Sequence, residues 1–104
     1  MTALKQLQAR YPWMYLNGSG IYGKSAGGFM AAQAMLTYPE FFKVGVAASG
    51  DHDCRLYGSF WGEKYEGYPV TDRYLEQVTA LKASNLKGDL LLMTGEWMIM
   101  FIPQ

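Results

Sequence analysis

The chain has 104 residues, 50% of them hydrophobic, and nine Lys or Arg side chains cancel nine Asp or Glu. That suffices for one compact domain with a modest core, and the cancelled charge supplies no basic face for nucleic acid or an anionic membrane surface. The single cysteine, Cys54, excludes an internal disulfide framework and reads as a small half-buried residue.

Lys5 and Arg10 interrupt any apolar stretch after Met1, so no signal peptide is expected, and no run has the length of a membrane span. Residues 2–10 predict a short helix with Leu4 and Leu7 on one face, ended by Pro12. Ile21 and Tyr22 favour a strand over residues 19–23. The chain then runs from Gly28 to Leu36 before Pro39 stops it, with only Gln33 and Thr37 forming a polar stripe. A helix apolar on nearly every other face belongs in a core. Phe41 to Ser49, closed by Gly50, reads as a buried parallel strand. Residues 51–69 form a long aromatic-rich irregular stretch, and loops of that length in a compact domain usually serve function. Thr71 or Asp72 caps a predicted helix on which Leu75, Val78 and Leu81 recur, and Gly88 stops it. Asp89 to Thr94 predicts a third strand.

Strands separated by helices imply an α/β fold of about three parallel strands with flanking helices and right-handed crossovers. Two raw sheet edges invite pairing with another chain, so either self-association or further flanking strands are expected.

Between the first strand and the core helix lies Gly23-Lys24-Ser25-Ala26-Gly27, a G-x-S-x-G match. A nucleophile on a sharp strand-to-helix turn needs small neighbours so that the backbone can pass close by, and Gly23 and Gly27 meet that need. Ser25 is the candidate nucleophile, and the amide of Ala26 would face a developing acyl oxyanion.

Other motifs compete for the same residues. Gly18, Gly23, Lys24 and Ser25 fit the phosphate-loop pattern G-x-x-x-x-G-K-S over residues 18–25, and Gly18, Gly20 and Gly23 fit G-x-G-x-x-G. Both nucleotide readings require residues 18–23 to be loop and a helix to open at about Lys24. Asp51, His52, Asp53 and Cys54 include metal-ligand types, but four consecutive residues do not converge on one ion, so no metal and no cofactor is expected. Lys24 adjoins Ser25, yet its place in the chain turns its side chain elsewhere than toward the serine. His52 is the one histidine, and nothing in the sequence orients it as a base.

The stretches Gly20-Ile21-Tyr22-Gly23-Lys24-Ser25-Ala26-Gly27-Gly28-Phe29-Met30-Ala31-Ala32 and Tyr38-Pro39-Glu40-Phe41-Phe42-Lys43-Val44-Gly45-Val46-Ala47 resemble the nucleophile region of the prolyl oligopeptidase family of serine peptidases, most closely its dipeptidyl peptidase IV-like branch. Trp61-Gly62-Glu63-Lys64-Tyr65 and Asn85-Leu86-Lys87-Gly88 are similar too, so the resemblance spans nearly all of residues 1–96. It implies a partial α/β-hydrolase domain over residues 1–104, with Ser25 acylated, Ala26 offering one oxyanion amide, and Tyr57 and Trp61 around a proline or alanine side chain of a peptide substrate. The family's β-propeller, the first half of its sheet and its second oxyanion donor have no counterpart among these residues. Its acid falls where this chain has Met98, and its histidine some tens of residues later, beyond Gln104.

Residues 97–104, Trp97-Met98-Ile99-Met100-Phe101-Ile102-Pro103-Gln104, form an atypical apolar tail. Back-translated with Ile99 as ATA and with one A placed in front, the codons read Met-Asp-Asp-Asn-Val, which resembles the family's acid-bearing segment. This predicts a one-nucleotide deletion after the Glu96 codon, which sequencing of the gene and its downstream DNA tests. Asn17-Gly18-Ser19-Gly20 is compatible with a similar, compensated slip. Three functions stay open: a serine peptidase fragment without its acid and histidine, a non-catalytic fragment that self-associates through its edges and tail, and a nucleotide-binding module.

Overall fold

The computed structural model describes residues 1–53 and 72–95. Along them run α1 (Thr2–Arg10), β1 (Gly20–Lys24), α2 (Ala26–Thr37), β2 (Val44–Ala48), α3 (Asp72–Gln77) and β3 (Asp89–Met93), with 3-10 turns at Leu16–Gly18 and Thr79–Asn85. Among the described residues no helix is long and apolar enough to cross a membrane.

The three strands form one parallel sheet in the order β1-β2-β3, the α/β arrangement that the alternation of elements predicts. Gly20 pairs with Val44 and Lys24 with Ala48, while Val44 pairs with Asp89 and Ala48 with Met93. Both strand tips therefore end level, and the loops that follow β1 and β2 leave the sheet side by side.

The helix α2 packs on one face. Ala31 and Ala32 meet Ala47 of β2, with Ile21 and Leu90 alongside. Met35 is 0% exposed and lies over Gly45 and Gly88, whose missing side chains make room for its thioether. Alanines and glycines at these contacts let helix and sheet approach closely, while Met30 on another side of α2 is exposed.

The opposite sheet face carries Tyr22, Val46 and Leu91 in one cross-strand row, because side chains alternate with a period of two. Tyr22 is 87% exposed and Leu91 57%, so this face is uncovered among the described residues. A parallel sheet is ordinarily covered on both faces.

The helix expected over residues 2–10 forms as α1, which buries none of its residues. It ends at Tyr11, whose position before Pro12 disfavours further helix. The helix predicted from Asp72 through Leu81 breaks at Val78, which is extended at φ −71° and ψ 104°, and resumes as a 3-10 turn from Thr79. Val78 is 0% exposed whereas Leu75 and Leu81 are exposed, so the three do not share one buried face. The break lets Val78 enter the core and turns Thr79 toward residue 52, to which its hydroxyl bonds. Cys54, Tyr57, Trp61, Thr71 and the tail 97–104 lie outside the described residues.

Candidate active site

Ser25 joins β1 to α2 with φ 57° and ψ −123°, one of two non-glycine residues with positive φ among those described. A side chain in that region costs about 1–3 kcal/mol and persists only where the surroundings over-determine it. Here they do so from both sides. The Ser25 N–H donates to the carbonyl of Ala48 on β2 at 2.8 Å, and the Ser25 carbonyl accepts from Phe29 N–H in the first turn of α2 at 3.0 Å. Backbone nitrogen is thus tied to the sheet and backbone oxygen to the helix, while the residue itself stays exposed.

Glycines make the turn possible, though not the two that the pentapeptide suggests. A β-carbon on Gly23 would run into the backbone of Gly27, so the first glycine of the motif is required. A β-carbon on Gly27 would meet nothing within 4 Å, which corrects the expectation that its smallness is needed here. Gly28, outside the motif, takes that role: its β-carbon would lie 2.5 Å from the carbonyl oxygen of Ala48. A glycine run after the serine is the signal in the sequence, but only the helix-to-strand distance tells which glycine matters.

Ala26 is the first residue of α2, and the first i−4 bond of this end is the one Phe29 makes to Ser25. The amides of Ala26 and Gly27 precede it and have no intrahelical acceptor, the ordinary condition of a helix N-terminus and one that suits an anion. Lys24 ends β1 and is exposed. The phosphate-loop and G-x-G-x-x-G readings do not survive this geometry, because residues 20–24 are hydrogen-bonded strand and α2 opens only at Ala26.

The loop after β2 sits beside this turn. Ser49 is the second residue with positive φ, at 50°, and its N–H donates to the Met93 carbonyl at 2.6 Å. Gly50 then packs onto α2, since a β-carbon there would lie 2.6 Å from Phe29 N, 2.8 Å from the Gly28 carbonyl carbon and 2.7 Å from Cε1 of His52. His52 Cε1 therefore borders the same space beside Gly50 as the helix turn that follows Ser25. Its Nδ1 is 3.1 Å from Oγ1 of Thr79, and the Thr79 hydroxyl donates to the His52 carbonyl at 3.0 Å. Ala80 N–H donates to the same carbonyl at 3.3 Å. Burial holds the imidazole pKa below its usual value of 6.5. The histidine that the sequence leaves unoriented is thus oriented by Thr79, 27 residues further along. No local pattern announces such a pairing.

A model of the prolyl oligopeptidase family matches residues 1–97. The chain belongs to the prolyl oligopeptidase family. Among its relatives, venom dipeptidyl peptidase 4 of Vespula vulgaris is 29% identical over 91 residues, 86% of this chain and 12% of that protein. The inactive dipeptidyl peptidase 10 of Rattus norvegicus is 29% identical over 93 residues, 83% of this chain and 12% of that protein. The crystal structure of Porphyromonas gingivalis dipeptidyl peptidase 4 superposes with a TM-score of 0.80 at 27% identity, covering 97% of this chain and 14% of that one. The chain therefore spans about an eighth of the length of these family members. Its sheet and helices are a part of the α/β-hydrolase fold of serine peptidases in this family.

Proposed function

We propose that this chain carries the nucleophile turn of a serine peptidase, with Ser25 forming the acyl-enzyme and the Ala26 amide donating to the acyl oxyanion. The single observation behind the reading is the backbone of Ser25, whose φ of 57° is held between β1 and α2 by bonds to Ala48 and Phe29. Strain of this kind at an exposed serine has a use in presenting a hydroxyl to a substrate. Peptides with proline or alanine near the cleavage site are the substrate class, by resemblance to the dipeptidyl peptidases, with Tyr57 and Trp61 as the proposed contacts.

Acylation needs a base and an acid that orients it. His52 Nδ1 is bonded to the hydroxyl of Thr79, where a triad would have a carboxylate, and by resemblance Met98 stands at the family's acid position. We therefore infer that these 104 residues by themselves hydrolyse no peptide. A fluorophosphonate probe tests the nucleophile: labelling at Ser25 that disappears in Ser25→Ala supports it, and an unlabelled Ser25 in the family's full-length context overturns it.

A second reading, self-association without catalysis, is favoured by the row Tyr22, Val46 and Leu91, uncovered among the described residues, and by β1 and β3, which edge the sheet that those residues form. Size-exclusion chromatography tests it, and a monomer across the concentration range counts against it.

A further inference from the structure

We propose that Thr79 is a positioning residue for the Ser25 turn, acting through the ring of His52 and the backbone of Gly50. The inference rests on the reading of Ser25 as nucleophile for its consequence in catalysis, but not for the physical linkage itself.

The Thr79 hydroxyl has one proton, and the His52 carbonyl oxygen, 3.0 Å away, can only accept. That proton is committed to the carbonyl, so toward Nδ1 of His52, 3.1 Å away, Oγ1 can only accept. Nδ1 must therefore carry a hydrogen. With the ring kept neutral near pH 7 by burial, His52 is held as the Nδ1–H tautomer with its lone pair on Nε2. Thr79 is 3% exposed, so water does not compete for these bonds.

From the ring to Ser25 the linkage is steric. With its ring plane set by Thr79, His52 places Cε1 in the space that a side chain on Gly50 would fill, and the backbone of Gly28 and Phe29 borders that same space. Phe29 N–H is the donor that holds the Ser25 carbonyl at 3.0 Å. The positive φ of Ser49 is what brings Gly50 back over the helix end. A contiguous path thus leads from the 3-10 turn at Thr79–Asn85 to the strained serine, through a space beside Gly50 too small for a further side chain. Releasing the ring would empty the space it fills between Gly50 and the first turn of α2, and the Phe29 N–H that holds Ser25 in its unfavourable conformation would lose that support.

The test compares Thr79→Val, which removes the hydroxyl at nearly constant shape, with Thr79→Ser, which keeps it. Since His52 is the one histidine, its ring nitrogen signals are unambiguous in an NMR spectrum of the labelled chain. The expected result is an Nδ1–H tautomer in the wild type and in Thr79→Ser, and a mixture in Thr79→Val. Amide resonances of Ser25, Gly28, Phe29 and Gly50 should move in Thr79→Val and return in Thr79→Ser. In the family's full-length context, fluorophosphonate acylation of Ser25 should slow at least about tenfold in Thr79→Val, because a 1 Å misplacement can cost on the order of 100-fold.

Thr79→Val leaving the tautomer or the amides of the Ser25 turn unchanged would overturn the proposal, as would equal shifts in Thr79→Ser. If Thr79→Val does not fold, His52→Leu removes Nδ1 while leaving the backbone carbonyl bond in place, and unmoved amides at Ser25 and Phe29 in that variant overturn the proposal equally. A Ser25 that never reacts with the probe refutes the nucleophile reading alone, since the tautomer and amide shifts are read without it.

Discussion

Gly27 and Gly28 stand next to each other in the first turn of α2, and alanine at either brings the same intrinsic helical gain of about 1 kcal/mol. Their surroundings differ. Around the β-carbon position of Gly27 there is nothing within 4 Å, whereas that of Gly28 is 2.5 Å from the Ala48 oxygen and 3.1 Å from the Ala48 carbonyl carbon and nitrogen. Real β-carbons do not approach heavy atoms closer than about 3.0 Å, so in Gly28→Ala the helix must retreat from β2 by about half an ångström or more. Both partners at this contact are backbone, and overpacking of this kind costs about 1–3 kcal/mol. The helical gain cancels in the comparison, so Gly28→Ala should be less stable than Gly27→Ala by about that 1–3 kcal/mol. For a chain of this size each kcal/mol corresponds to roughly 4–8 °C in Tm. Denaturant and thermal unfolding of the two variants, followed by circular dichroism, measure the difference. A Gly28→Ala chain as stable as Gly27→Ala would refute the claim that helix-to-strand contact at residue 28 sets the geometry of the Ser25 turn.

Ser25→Gly should raise stability, because the strain of about 1–3 kcal/mol disappears while glycine costs about 0.5–1 kcal/mol in chain entropy. A denaturation midpoint below that of the wild type would show that the φ of Ser25 carries no strain. Met35→Ala should cost about 2–5 kcal/mol, since the thioether fills the space over Gly45 and Gly88 and the backbone there cannot collapse into it. Unfolding in urea checks this, and a loss under about 1 kcal/mol would contradict the packing. His52 should titrate below pH 6.5 in the folded chain because burial disfavours its charged form. The unfolded chain then takes up the proton at higher pH than the folded one, so the contribution of His52 to stability is complete above pH 6.5 and is lost as the pH falls through its folded pKa. An NMR titration of its ring measures this, and a midpoint at or above 6.5 overturns the assignment of burial as the cause.

Much of the fold is legible in the sequence, for reasons particular to each element. β1 and α2 declare themselves because Ile21 and Tyr22 favour extended backbone and the run from Phe29 to Leu36 is too apolar to lie anywhere but in a core. β2 is foreseen but starts three residues later than expected, at Val44 rather than Phe41, because Phe41 and Phe42 are hydrophobic without being strand: their N–H groups bond back to the Tyr38 carbonyl in a turn. The helix after Asp72 fails at Val78 for a tertiary reason, since burying Val78 and bonding Thr79 to His52 outweighs continuing one helix.

For the site, the sequence by itself determined the place and the family. The pentapeptide between a strand and an apolar helix marks Ser25, because Gly23 leaves room for the backbone of Gly27 and because the match extends over residues 1–97. What the tertiary structure decided is which contacts hold that turn. Whether Gly27 or Gly28 must lack a side chain, and whether His52 has an orienting partner, depend on distances between Gly28 and Ala48 and between His52 and Thr79. Residues 20 and 27 positions apart come together only when the sheet and its crossovers are assembled, so no local pattern can record them.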